Sequence, residues 1–167
     1  SDTAPVMMAL GAAVVLTGLN GERTLPVAAL YRDDGMAYLT RRPEEILTAI
    51  LLPPVDGLRS TYWKLRRRGS FDFPILGVAA SLRLGGDGTC ADARIVLGAV
   101  SSHPMRAAAA EEVLLGRRLT PELIEEAAAA AYAPAKPLDN TDLTLAYRKR
   151  MVRVFVSRAL RELANFP

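Results

Sequence analysis

The order of its segments constrains this chain most. As far as Val100 it is a succession of apolar runs of strand length separated by turn residues, and from Pro104 onward alanine-rich helical patterns replace them. Strands first and helices afterwards is the pattern of an α+β fold, because a sheet with one apolar face must bury it under another layer. The opening Pro5-Val6-Met7-Met8-Ala9-Leu10 reads as a short helix stopped near Gly11. Ala13 to Thr17 is a buried strand, Asn20-Gly21 a tight turn, and Arg23-Thr24-Leu25 the returning arm of a hairpin. After a polar loop through Asp33-Asp34-Gly35, Pro43-Glu44-Glu45 suits one helical turn, with proline and acids at favoured first-turn positions. Strands are then expected over 46–52, 60–67, 77–84 and 93–100. The first must stop at Pro53-Pro54, which cannot donate to a ladder. Their succession through short turns argues for antiparallel pairing.

In the second part, Met105 to Leu115 is expected to be a helix stopped by Gly116. Thr120-Pro121 is an N-cap followed by proline at the first helical position, opening a helix to about Tyr132. A third helix starts near Asp142 or Leu143. Leu145, Val152, Phe155, Val156, Ala159, Leu160 and Leu163 line its apolar face, and basic residues fill the other. The expected architecture is an antiparallel sheet with about three helices covering one side.

Half of the 167 residues are hydrophobic, which excludes a disordered chain. Runs such as 46–52 and 152–156 fall far short of the roughly 20 residues that cross a bilayer. Neither a basic leader nor a small-residue cleavage site opens the chain, so the residues do not suggest export. Cys90 is the one cysteine, so neither an internal disulfide nor a thiolate cluster can be built, and a reducing compartment, the cytoplasm, is the simplest setting. The single histidine, His103, precedes Pro104 in a turn and has no second imidazole to share a metal. The net charge of +3 comes mainly from Arg66-Arg67-Arg68 and Arg148-Lys149-Arg150. Nucleic-acid binding would need a broader basic surface interleaved with aromatics.

The segments that carry chemistry are short and ordered. They are Ser1-Asp2-Thr3-Ala4-Pro5, Gly21-Glu22-Arg23-Thr24-Leu25-Pro26, Pro43-Glu44-Glu45-Ile46-Leu47, Lys64-Leu65-Arg66-Arg67, Asp72-Phe73-Pro74 and Tyr147-Arg148-Lys149-Arg150. In this order and spacing they resemble the medium, FAD-binding subunit of the molybdenum hydroxylases, the group that includes carbon monoxide dehydrogenase, xanthine dehydrogenase and 4-hydroxybenzoyl-CoA reductase. Asp72 to Ala79 and Tyr147 to Arg150 look most like the β subunit of the last. The resemblance implies that residues 1–56 are the C-terminal part of the FAD-binding domain, contributing its antiparallel sheet. It implies that residues 57–167 are a carbon monoxide dehydrogenase flavoprotein C-terminal-like domain.

It also implies site residues. Asp2 falls where the family's aspartate accepts hydrogen bonds from the ribityl side of the flavin. The residues alone leave it equally well an N-cap for the helix at Pro5. Leu47 falls where an aliphatic side chain packs on the isoalloxazine while the adjoining backbone, at Ile46, meets its polar edge. Lys64 takes the place of a lysine near the pyrimidine end, where a cation favours negative charge on the reduced ring. Asp72 sits in a loop bordering the flavin, or is an ordinary turn aspartate. Tyr62 and Trp63 alternate on one strand, so one is expected in the core and the other on the surface.

Gly85-Gly86-Asp87-Gly88 reads as a hairpin turn rather than a phosphate loop, so the pyrophosphate site is expected upstream of Ser1, as are the cysteines of any additional iron-sulfur cluster. The implied function is electron transfer between FAD and iron-sulfur centres on one partner subunit, with the molybdenum cofactor on another and no catalytic acid, base or metal site in this chain. The alternative is an assembly module that binds no flavin by itself.

Overall fold

The computed structural model describes residues 1–69 and 71–166. It contains two antiparallel sheets. The first has the order β2-β1-β3, from β1 (Ala13–Gly18), β2 (Gly21–Pro26) and β3 (Ile46–Leu51). The second has the order β4-β5-β6-β7, from β4 (Leu58–Leu65), β5 (Leu76–Leu84), β6 (Cys90–Gly98) and β7 (Met105–Arg106). Helix α1 (Thr3–Ala9) opens the chain, and α2 (Ala108–Leu114), α3 (Pro121–Tyr132) and α4 (Leu145–Ala164) follow the second sheet.

The expected α+β layering is present, but the strand over 46–51 does not join its successors. It pairs with β1, Leu16 opposite Leu47 and Ala13 opposite Leu51, leaving Pro53-Pro54 to carry the chain from one sheet to the other. The hairpin of β1 and β2 turns at Asn20-Gly21 as its sequence dictates, with Gly21 at a φ of 107° that only glycine adopts cheaply.

The second sheet is covered on both faces, not one. Leu76, Val78, Ala80 and Leu82 of β5, with Ile95 and Leu97 of β6, meet α2, α3 and α4 in the larger core. Ala79 and Val96 point the other way, into a smaller core with Met8 and Ala9 of α1, Val14 and Leu16 of β1, and Val27 and Leu30 of a 3-10 turn (Val27–Leu30). This two-sided burial is why β5 opens on an unbroken apolar run, Leu76 to Ala80, rather than alternating. It also corrects the expectation for Tyr62 and Trp63. Both are half-buried, Tyr62 against the smaller core and Trp63 against the larger, where its ring meets Phe155 edge-on at 6.1 Å.

Four local expectations are revised. Pro43-Glu44 forms a single hydrogen-bonded turn, Glu45 N to Arg42 O at 3.1 Å, and not a helical turn. Met105 and Arg106 leave the expected helix to pair with Leu97 and Val96. Leu143 has φ 72°, which no helix tolerates, so α4 starts at Leu145 behind Thr144, whose hydroxyl accepts from Tyr147 N. Arg148, expected with the other basic residues on the outer face of α4, lies instead on its buried face with Val152, Phe155 and Val156 and is 1 % exposed. By contrast, Thr120 caps α3 as expected, its hydroxyl accepting from Leu123 N at 3.2 Å.

Candidate functional site

On β4, Tyr62 and Lys64 are two residues apart and therefore share a face, the one toward α1. The chain reaches that face at Asp2, which stands at the N-cap position of α1 but does not cap it: its backbone is helical and its carboxylate makes no capping bond. The carboxylate turns instead to β4. Its Oδ1 accepts from the Tyr62 hydroxyl at 2.8 Å and its Oδ2 accepts from Lys64 Nζ at 2.7 Å. Of the two readings of Asp2, the structure removes the cap. Burial raises the Asp2 pKa, but the bonds from Lys64 and Tyr62 outweigh it and hold the carboxyl below the usual aspartate value. Burial and then the bond to Asp2 push the Tyr62 phenol far above its usual value, so it stays a donor.

Lys64 Nζ also donates to the Asp72 carbonyl. The Lys64 side chain is only 16 % exposed and that of Asp2 42 %, so the ammonium is held while its carboxylate partner keeps an open side. Asp72 enters the cluster through its backbone. Its carboxylate is taken up by its own loop, accepting from Arg67 N at 3.1 Å, Arg68 N at 2.9 Å, Phe73 N at 2.9 Å and the Arg68 guanidinium at 3.1 Å. The backbone and side-chain bonds from Arg68 hold it well below the carboxylate range. The turn reading of Asp72 is right for its side chain, and its carbonyl orients Lys64. Beside it Phe71 and Phe73 stand largely exposed, edge to face at 6.3 Å.

Ile46 and Leu47 open β3, an edge strand whose outer side has no partner strand. Among the described residues, no hydrogen bond or ion pair joins them to Asp2 or Lys64. The link is the smaller core, in which Leu16, the register partner of Leu47, and Tyr62, the donor to Asp2, both pack. Ile46, Leu47, Ile50, Leu51 and Leu52 are all exposed apolar side chains. What places the start of β3 is Glu45, a buried carboxylate gripped by Arg23 of β2 through Nε at 2.6 Å and a terminal nitrogen at 2.9 Å, and by Arg42 N at 2.7 Å. The Arg23 bond and then the backbone bond bring its pKa down to about 2. Sequence reasoning passed over this pair, although each partner stands in a segment it singled out.

A groove of about 570 Å³ lies beside the cluster, lined by Ser1, Tyr31, Tyr38, Phe73, Ser101 and His103 among others. His103 is a turn histidine there, its Nδ1 3.2 Å from Ser102 Oγ and 3.7 Å from Asp33. Among the described residues no group of acids, histidine and cysteine could hold a metal ion, and no helix is long and apolar enough to cross a membrane. Gly85 to Gly88 is a hairpin turn closed by Gly88 N to Gly85 O at 2.9 Å, with no helix behind it to present amides to a phosphate.

Residues 60–163 match the family model of the CO dehydrogenase flavoprotein C-terminal domain, and residues 1–55 match that of the FAD binding domain in molybdopterin dehydrogenase. Among characterised proteins, the carbon monoxide dehydrogenase medium chain of Afipia carboxidovorans is 34% identical over 96% of this chain and 54% of its own. The glyceraldehyde dehydrogenase medium chain of Sulfolobus acidocaldarius is 27% identical over 98% of this chain and 57% of its own. The carbon monoxide dehydrogenase structure from Hydrogenophaga pseudoflava superposes with a TM-score of 0.88 at 31% identity, over 96% of this chain and 55% of the matched one. The chain thus spans a little over half the length of the relatives it matches.

Proposed function

Because this chain belongs to the family of molybdopterin dehydrogenase FAD-binding domains with a CO dehydrogenase flavoprotein C-terminal domain, we propose that it forms one wall of an FAD site in a molybdenum hydroxylase-type oxidoreductase. Its work there is to hold a flavin that exchanges electrons with iron-sulfur centres on a partner subunit, while the substrate chemistry belongs to another subunit. The observation that carries this reading is the Asp2–Lys64 pair. It is an ionised acceptor with an open side, next to a cation whose other bond, to the Asp72 carbonyl, fixes its direction.

These residues fit the cofactor. Each Asp2 oxygen accepts one bond and has a lone pair left for a ribityl hydroxyl. Lys64 Nζ has a third hydrogen for the pyrimidine end of the ring, where its charge favours a reduced, anionic flavin. Ile46 and Leu47 offer apolar side chains, and alternate residues of their edge strand turn backbone N–H and C=O outward, toward a ring edge. FAD when bound supplies the redox chemistry, and no residue here need act as acid or base. The pyrophosphate is assigned to the remaining part of the flavoprotein, in keeping with the length of the relatives. Cys90 is the single cysteine of this chain and is buried in the core, so the iron-sulfur clusters and the molybdenum cofactor of this reading lie elsewhere in the complex.

We further propose the finer points of this reading. The division is 1–56 and 57–167, just after the Pro53-Pro54 crossing. The protein is cytoplasmic. Within the family it is of the 4-hydroxybenzoyl-CoA reductase β-subunit type, a reading supported by the resemblance of Asp72 to Ala79 and Tyr147 to Arg150.

Flavin absorbance decides between a cofactor wall and a bare assembly module. The chain is purified alone and together with the rest of its flavoprotein. Flavin is expected with the complete flavoprotein; flavin retained by the chain alone would exclude the assembly module, and its absence from both preparations would sink the proposal. In the complete flavoprotein Leu47→Asp is expected to lose flavin and keep its fold, since Leu47 is already 40 % exposed and the new carboxylate meets water rather than a core.

A further inference from the structure

The geometry points to Tyr62 as a positioning residue for the cofactor: with two facing glycines, Gly77 and Gly98, it forms a seat that sets where the Asp2 carboxylate stands. This rests on the reading of Asp2 as a flavin contact and goes beyond it, because Tyr62 itself acts only through Asp2.

Three observations converge on the seat. Tyr62 is one of two side chains that bond the Asp2 carboxylate, and the two bonds differ in what they can fix. Lys64 is a long side chain held at its tip by the Asp72 carbonyl, whereas the Tyr62 ring is rigid along its whole length and packed in the smaller core. The phenol therefore defines one carboxylate oxygen in space.

The ring reaches Asp2 only because its path is clear. On β5, Ala79 is the register partner of Tyr62 and Gly77 that of Lys64, so Gly77 lies diagonally across from the ring. A Cβ at Gly77 would meet the Tyr62 hydroxyl at 2.6 Å and its ring carbons at 3.2 and 3.3 Å. Any side chain there turns the ring away from Asp2.

The other half of the seat holds the helix that carries Asp2. Gly98 of β6 is the register partner of Gly77, and a Cβ on it would meet Pro5 Cγ at 2.9 Å. Pro5 is three residues beyond Asp2 and buried in the first turn of α1. Neither glycine has a positive φ, so neither is there for its turn conformation. Both leave room, one for the ring that grips Asp2 and the other for the helix that presents it.

The test is made in the assembled oxidoreductase, by the flavin dissociation constant and the visible circular dichroism of the bound flavin. Tyr62→Phe keeps the ring and its packing and removes one bond to an ionised carboxylate. It is expected to weaken flavin binding about tenfold and alter the flavin dichroism, with thermal unfolding little changed. Gly77→Ala, which keeps the hydroxyl but displaces the ring, is expected to match it. In an Asp2→Ala background, where position 2 offers the phenol no acceptor, adding Tyr62→Phe is expected to cost less than about twofold, because residues acting as a unit are not additive. A ring that merely packs would show no such coupling. If Asp2→Ala weakens flavin binding and Tyr62→Phe does not, the seat is wrong and the flavin wall stands. If Asp2→Ala leaves binding unchanged, the flavin wall itself is wrong, and the seat with it.

Discussion

Replacing Arg148 by methionine isolates what a buried cation does for this fold. Among the described residues, no carboxylate is hydrogen-bonded to Arg148. Its Nε donates to Ile75 O at 3.3 Å, one terminal nitrogen to Leu138 O at 2.6 Å and Asn140 Oδ1 at 3.5 Å, and the other to Ala99 O. The residue ties the start of β5, the turn after β6 and the loop before α4 to the first turn of α4. Ala99 has φ 63°, a conformation alanine resists, so the guanidinium also holds a strained turn. Methionine keeps the stem and strands three backbone carbonyls. At about 1 to 1.5 kcal/mol for each acceptor left unmet, the loss is about 3 to 4.5 kcal/mol. Burial depresses the Arg148 pKa, which means its charge is held at some cost, and relief of that cost leaves a net loss of about 2 to 4 kcal/mol. Against a total stability of about 5 to 15 kcal/mol that is a large fraction. The assay is urea unfolding followed by far-UV dichroism and by the fluorescence of Trp63, the single tryptophan, which rests on Phe155 of α4 and so reports docking of that helix on the sheet. Arg148→Lys, with a point charge in place of the fork, is expected to fall between the two. Wild-type stability in Arg148→Met, or a gain, would refute the carbonyl-clamp argument, since desolvation would then outweigh the bonds.

Two further outcomes follow from the ionisable groups. Glu45 has a folded pKa of about 2 against an ordinary 4.5, so its contribution is complete above about pH 4.5 and is lost as pH falls toward 2. Urea midpoints measured between pH 6 and pH 2.5 should therefore fall less steeply in Glu45→Gln than in the parent, and equal slopes would contradict the Arg23–Glu45 anchor. Cys90 is buried, and burial followed by the nearby Asp92 pushes its thiol up to about 11. At pH 8 its thiolate fraction is on the order of a thousandth, so a disulfide reagent should label it only in urea, and prompt labelling of the native protein would show that the core around it opens.

Much of the candidate site was legible as residue identity, and little of it as geometry. Asp2, Lys64 and Asp72 were singled out from their places in ordered segments, and the fold gathers these three. It does so in an unanticipated way, Asp72 through its carbonyl and Asp2 through Tyr62, because a side chain's partner sixty residues away leaves no periodic trace in the sequence. The Arg23–Glu45 pair shows the same limit, each half sitting unremarked in a named segment. Ile46 and Leu47 stand apart from that trio, linked to it through a shared core.

Local signals determined the elements. Alternation and apolar runs marked most strands, Asn20-Gly21 marked the hairpin, Thr120-Pro121 the start of α3 and Pro53-Pro54 the end of β3, because each acts through backbone conformation within a few residues. Only the tertiary structure decided which strands share a sheet, that the second sheet is covered on both faces, and that Arg148 lies inside. Those are properties of contacts between distant segments, where burial and hydrogen bonding override what any residue prefers alone.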